Sequence, residues 1–229
     1  NGIKMSKSKG NVVSPDDLVR DYGCDSLRLY EMFVGPPELD SEWDERGIDG
    51  VYRFITRFWK LAVDSIEANV EPTKEMIKLR HQMVHTITRR LEDFSLNTVV
   101  SGFMEFNNKF IELAKKEGGI DKETIQTFVT LLAPFAPHIG EELWERLGNT
   151  GSVFENNKWP EADEELMKDD EIQVPVQING KTKVVISVPA DISKDDAIAQ
   201  GKEALGDKLT GNIIKEIYVP GRIINIVMK

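Results

Sequence analysis

A chain of 229 residues makes one or two compact units, at roughly 100–200 residues per domain, and is long enough to bury a real core. Hydrophobic side chains make up 40% and charged ones 30%, an ordinary soluble composition. The 29 basic and 39 acidic side chains leave a net −10, which excludes a surface that grips nucleic acid on every side but permits local basic patches.

One cysteine, Cys24, excludes an internal disulfide framework and fits a reducing compartment. No apolar run approaches the roughly 18 residues of a membrane span. The start, Asn1-Gly2-Ile3-Lys4, has neither an initiator methionine nor a signal-peptide pattern. The expectation is a soluble, cytoplasmic, monomeric piece of something longer, with no membrane partner.

In chain order, residues 1–13 form a basic loop: Lys4, Lys7 and Lys9 lie between Gly2 and Gly10 with no acid among them. Ser14-Pro15-Asp16-Asp17 supplies a cap, a first-turn proline and first-turn acids, so a short helix is predicted to about Tyr22, ending at Gly23. A second is expected near 25–33, stopped by Gly35-Pro36-Pro37. Apolar residues then recur at three and four. The sets are Ile48, Val51, Ile55, Phe58/Trp59, Ala62 and Ile66; Met76, Leu79, Met83, Ile87 and Leu91; and Leu96, Val99, Phe103, Phe106, Phe110 and Leu113. Gly118-Gly119 ends the third set and Asp121 caps a fourth helix through Ile125, Phe128 and Leu132. Beyond Pro134 and Pro137, a last helix carries Ile139, Leu143, Trp144 and Leu147 and closes at Gly148. Short connections between such helices predict an antiparallel bundle over 46–148.

Residues 149–171 read as a linker, with few apolar side chains and an acidic run that includes Asp163, Glu164, Glu165, Asp169 and Asp170. The period then becomes two. Val174, Val176 and Ile178 alternate, as do Val184, Ile186 and Val188, around Asn179-Gly180. A two-residue turn pairs Ile178 with Lys181 and puts the two apolar sets on opposite faces, so a three-residue bulged loop pairing 178 with 182 and 176 with 184 is expected. That loop also puts Lys181 and Lys183 on one face. Ser193 and Asp196 open a helix to about Leu205. Residues 213–219 and 223–227 make a second hairpin through Pro220-Gly221. The class is α+β: a helical bundle, residues 1–45 leading into it, and a ββαββ unit over 172–229.

The string Lys4-Met5-Ser6-Lys7-Ser8, followed by Lys9-Gly10-Asn11, carries the chemistry. Two ammoniums on a mobile, hydroxyl-bearing loop suit a polyphosphate, stabilising charge that develops on a leaving pyrophosphate. Downstream come Leu29-Tyr30-Glu31-Met32-Phe33, Gly35-Pro36 and Trp43. The run 132–144, Leu-Ala-Pro-Phe-Ala-Pro-His-Ile-Gly-Glu-Glu-Leu-Trp, follows, and then Val176-Gln177-Ile178-Asn179-Gly180-Lys181.

Together, and in this order, these strings resemble the class I aminoacyl-tRNA synthetases, in particular the bacterial leucyl branch, across essentially the whole chain. The resemblance implies that Lys4, Met5, Ser6, Lys7 and Ser8 bind ATP, with Lys4 and Lys7 catalytic in amino-acid adenylation. It implies ATP and Mg²⁺ as the parent's reactants, leucine and tRNA-Leu as its partners, and a bundle and tail that hold the tRNA body. The H-I-G-H motif of the class is missing. His138-Ile139-Gly140-Glu141 ends in glutamate and stands at a helix start, so the chain keeps one edge of an ATP site and alone is expected to be inactive.

Other groups read more plainly. His81 and His85 stand at i, i+4 spacing without a glutamate or cysteine pair, as surface histidines do. The stripe Phe54, Phe58, Trp59, Phe103, Phe106 and Phe110 reads as core. Cys24 reads as a buried or idle thiol. The bundle's Arg80, Arg89, Arg90, Lys109, Lys115 and Lys116 are interleaved with acids. In 172–229, eight basic residues outnumber six acidic ones. Lys181, Lys183, Lys215 and Arg222 are therefore candidates for tRNA backbone contact, although a solvated surface accounts for the same charges. A stand-alone RNA-binding module would have no use for the lysine loop, and a helical scaffold without an RNA ligand would bind its partners without regard to salt or tRNA identity.

Overall fold

The computed structural model describes residues 3–155, 157–168 and 171–229, with the side chain of Glu45 excepted; Asn1, Gly2, Asn156 and the expected linker acids Asp169 and Asp170 lie outside them. The described residues are α+β and divide into two compact units at Met167/Lys168.

The first unit is helical. After a 3₁₀ turn at Lys7–Lys9 come α1 (Pro15–Tyr22), α2 (Cys24–Phe33), α3 (Glu45–Ala68), α4 (Lys74–Glu92), α5 (Leu96–Glu117), α6 (Lys122–Leu132) and α7 (Pro137–Arg146). Local chemistry sets the ends. The Asp44 carboxylate accepts from Arg46 N at the start of α3, Thr73 Oγ1 from Met76 N at α4, and Asp121 Oδ1 from Thr124 N at α6. Gly118, at φ +83°, terminates α5 in the left-handed conformation that glycine adopts without steric cost. The aromatic stripe is core: Phe58, Phe103 and Phe110 surround the Phe128 ring with centroids 4.2, 5.7 and 6.1 Å away. Trp59 lies at the edge of this core, under the Arg146 guanidinium.

Residues 149–167, read from composition as linker, run along the bundle instead. Val153 is buried, and Trp159 packs on the core while its indole N–H donates to Thr88 Oγ1 at 2.8 Å. Asn157 Nδ2 donates to Thr130 Oγ1, Asp163 N to His81 Nδ1 at 3.0 Å, and Gln82 Nε2 to Met167 O. Val153, Trp159 and these polar contacts anchor a segment that holds few apolar side chains.

The second unit holds β1 (Glu171–Ile178), β2 (Lys181–Pro189), α8 (Lys194–Leu205), β3 (Ile213–Val219) and β4 (Ile223–Met228). The strand order is β2-β1-β4-β3, with the central β1–β4 pair parallel and both outer pairs antiparallel. Val174, Val176, Val188, Ile224 and Ile226 form a core with Ala197, Ile198 and Leu205 of α8.

The expected loop differs. Asn179 and Gly180, at φ +49° and +80°, make a two-residue turn, so Ile178 does pair with Lys181. Facing is restored lower down. Val176 pairs with Val184 and Gln177 with Thr182, leaving Lys183 as the extra residue of a β-bulge. The bulge moves both apolar sets onto the α8 face. It also separates the lysines expected to share a face: Lys181 sits opposite Ile178 on the α8 side, and Lys183 lies on the other.

Candidate nucleotide and RNA sites

The lysine loop is folded by its own backbone. Lys9 N and Gly10 N donate to Ser6 O and Lys7 O, and Gly10 takes φ +64° to end the turn. Asn11 closes it. Its Oδ1 accepts from Ser6 N at 2.9 Å, and its Nδ2 reaches Lys4 O at 3.5 Å. Ser6 Oγ and Ser8 Oγ lie 3.2 Å apart. Lys4, Met5, Lys7 and Ser8 are exposed and Ser6 is half-buried. Among the described residues neither Lys4 nor Lys7 has a carboxylate partner, so both charges are available to an anion. Asn11 thus staples the loop through contacts five and seven positions back, which the string by itself does not announce.

This donor set fits a polyphosphate and does not fit Mg²⁺. Residues 3–13 contain no carboxylate, and no group of three or more His, Cys, Asp or Glu side chains among the described residues could hold a metal ion.

The loop leads through α1 into α2, which grips the turn between α6 and α7. Asp25, buried on α2, accepts from the backbone N–H of His138 at 3.3 Å and of Ile139 at 2.8 Å. His138 Nδ1 lies 2.8 Å from the same carboxylate. Arg28 donates to the carbonyls of Pro134 and Phe135. His138-Ile139-Gly140-Glu141 is thus the first turn of α7, with Pro137 at its first position. Gly140 is there for space: a Cβ would stand 2.9 Å from Ala133 Cβ and 3.0 Å from its Cα.

His81 is half-buried on α4 and tied to Asp163, while His85 is exposed. Burial and the neighbouring Arg80 guanidinium hold the His81 pKa below the ordinary imidazole value, as a ring accepting a backbone N–H at Nδ1 requires. Cys24 is exposed rather than buried.

Much of the bundle's positive charge is internally engaged. Arg80 is buried beside Glu123 at 2.7 Å, Arg90 bonds Thr98 O and lies 3.5 Å from Glu105, and Lys115 and Lys116 pair with Glu112 and Glu75. Lys109 sits over the Phe106 ring. In the second unit Lys181, Lys183, Lys215 and Arg222 are exposed, but the fold does not gather all four. Lys183 and Lys215 lie on the face away from α8, Lys181 is on the α8 side, and Arg222 is in the β3–β4 turn.

A family model described as "Anticodon-binding domain of tRNA ligase" matches residues 73–198, more than half of the chain. The chain belongs to this family of tRNA ligases. A second model, "tRNA synthetases class I (I, L, M and V)", matches residues 1–44, the stretch that carries the lysine loop. A leucine–tRNA ligase of Fervidobacterium nodosum is 44% identical over 100% of this chain, and one of Rhodopirellula baltica is 40% identical over 99%. The chain spans 30% and 25% of the length of these two relatives. Among solved structures, the ternary complex of Agrobacterium radiobacter K84 agnB2 LeuRS, tRNA and LeuAMS contains a similar chain. That similarity covers 100% of this chain and 31% of that one, at 28% identity and a TM-score of 0.76. Along its whole length the chain is thus similar to a part of leucine–tRNA ligases, and the family model that matches most of it is the anticodon-binding domain. Among the described residues no helix is long and apolar enough to cross a membrane.

Proposed function

We propose that this chain is the part of a leucine–tRNA ligase that closes one edge of the ATP site and holds the body of tRNA-Leu. One observation carries the reading: a polyphosphate-fitted lysine loop and an anticodon-binding-type bundle stand on one chain, whose whole length aligns with a part of leucine–tRNA ligases. A stand-alone RNA binder or scaffold leaves that loop without a use.

In the parent, the leucine carboxylate attacks the α-phosphorus of ATP and pyrophosphate leaves. Lys4 and Lys7 place their ammoniums where the leaving group gathers charge, an effect strongest in the transition state. Asn11 and the serine pair hold the loop in the turned shape that presents both lysines. The bundle, the docked segment to Met167 and the module after it hold the RNA, with Lys181, Lys183, Lys215 and Arg222 as the module's cationic candidates.

Leucine-dependent ATP–pyrophosphate exchange by the full-length enzyme tests this. Lys7→Ala is expected to lower kcat by about 10²–10³, as loss of an oxyanion donor does, with a smaller change in KM for ATP. Unaltered exchange kinetics would remove Lys7 from the role.

A further inference from the structure

The β-sheet of the second unit has one covered face and one open face. Along β1, Val174 and Val176 enter the α8 core, so Gln173, Pro175 and Gln177 point the other way. Pro175 pairs with Val185, Ile223 is level with it across the parallel β1–β4 ladder, and Val219 pairs with Ile223. Val185, Pro175, Ile223 and Val219 therefore form one apolar row across all four strands, about 14 Å wide at three strand spacings. Val185 is 54% exposed and Val219 38%, while the two central residues are half-buried. The next row carries the amides Gln177 and Asn225. Lys183, turned to this face by the bulge, stands at one outer strand and Lys215, paired with Val227, at the other.

Charge is segregated across the sheet. Asp191, Asp195, Asp196, Glu203 and Asp207 lie on α8 or its flanking loops, and Glu216 pairs with Lys202 of α8. Among the described residues, the one carboxylate on the open face is Glu171, at the far end of β1, bonded to Ser187 Oγ at 2.6 Å. Neither Lys183 nor Lys215 has an ion-pair partner among the described residues.

We propose that this open face is the tRNA-docking surface of the second unit, with unpaired loop bases seated on the apolar row and backbone phosphates held at Lys183 and Lys215. The inference rests on the tRNA-binding reading above and assigns it a face. An apolar row alone would suit a protein partner. Two unpaired ammoniums flanking a neutral amide row, with the acids moved behind the sheet, complement a polyanion whose base faces are exposed. The α8 side, rich in carboxylates, repels the same ligand.

Binding of a fluorescent leucine tRNA transcript to the 229-residue chain, measured between low and moderate salt, tests the assignment. Lys183→Glu with Lys215→Glu should weaken binding by more than about tenfold. Lys183→Ala with Lys215→Ala, milder for folding, should reduce the salt slope by about two, near one for each lost phosphate contact. Val185→Asp, at an exposed position, should weaken binding by about tenfold. Lys194→Glu with Lys208→Glu on the α8 side should change it less than about twofold, and melting curves would confirm that each variant folds.

Failure of the unaltered chain to bind tRNA overturns both the tRNA reading and the face. Binding that survives every open-face change overturns the face alone, and loss confined to the α8-side pair transfers the contact to the opposite surface. Equal weakening by both lysine pairs also overturns it, because a general charge effect would then suffice.

Discussion

The Asp25 carboxylate accepts the Ile139 backbone N–H at 2.8 Å across 114 positions of sequence. Ala136, the residue that precedes α7, has no side-chain acceptor, so the helix borrows its cap from α2. A buried acid at a helix N-terminus satisfies orphan donors and opposes the helix dipole at once. Because α2 follows closely on the lysine loop, this cap also ties the loop's base to the bundle.

Asp25→Ala should lower stability by about 1–3 kcal/mol, the range for a lost cap that leaves buried donors unpaired. Asp25→Asn keeps an acceptor and loses the charge, so it should fall between. Urea unfolding would show a lower midpoint at unchanged m-value. An Asp25→Ala midpoint equal to that of the unaltered chain would mean that water replaces the carboxylate at no cost.

Gly140→Ala tests the close approach behind that cap. The added methyl meets Ala133, one of whose contacting atoms is backbone Cα, so the α6–α7 turn must open to admit it. A loss of about 1–3 kcal/mol is expected, despite alanine's better helix propensity. A stabilised variant would show that the turn yields freely.

The helices were legible because apolar period and end signals coincide: Gly118 stops α5, Asp121 caps the start of α6, and Pro137 opens α7. The lysine loop was legible as a string, since its chemistry is local. What escaped was set by distant partners. Nothing near Asp25 announces that its acceptors face residue 138, and nothing near Trp159 announces Thr88. In the hairpin both apolar sets do face one way, but the irregularity lies in the strand and not in the loop: the chain keeps the favoured Asn-Gly turn and inserts a bulge at Lys183.

His81 makes the docking of 157–167 sensitive to pH. Its Nδ1 must be unprotonated to accept from Asp163 N, and its folded pKa lies below the ordinary value, through burial and then Arg80, against weaker opposing effects of Asp163 and Glu123. The unfolded chain therefore binds the proton more readily. This contribution is complete above the ordinary imidazole pKa and is lost as pH falls through the lower folded one. Amide exchange at Asp163, corrected for the intrinsic pH effect, should show protection falling across that window. His81→Gln should flatten the profile, and protection unchanged by acid in the unaltered chain would exclude the imidazole as the anchor.

Asn179 does two jobs that substitution can separate. Its backbone takes φ +49° in the turn, and its side chain bonds β4 like an extra strand residue, with Oδ1 accepting from Met228 N at 2.8 Å and Nδ2 donating to Met228 O at 3.1 Å. Asn179→Gly keeps the positive φ and removes both bonds, a cost of about 1–2 kcal/mol at about 1 kcal/mol for each partly exposed bond. Asn179→Ala removes the bonds and adds about 1–2 kcal/mol for a Cβ in the left-handed region. The expected order of stability is Asn, then Gly, then Ala, read from amide exchange along β1 and β4. A glycine variant as stable as the parent would show that the turn alone matters, whereas equal losses for glycine and alanine would assign the whole effect to the bonds with Met228.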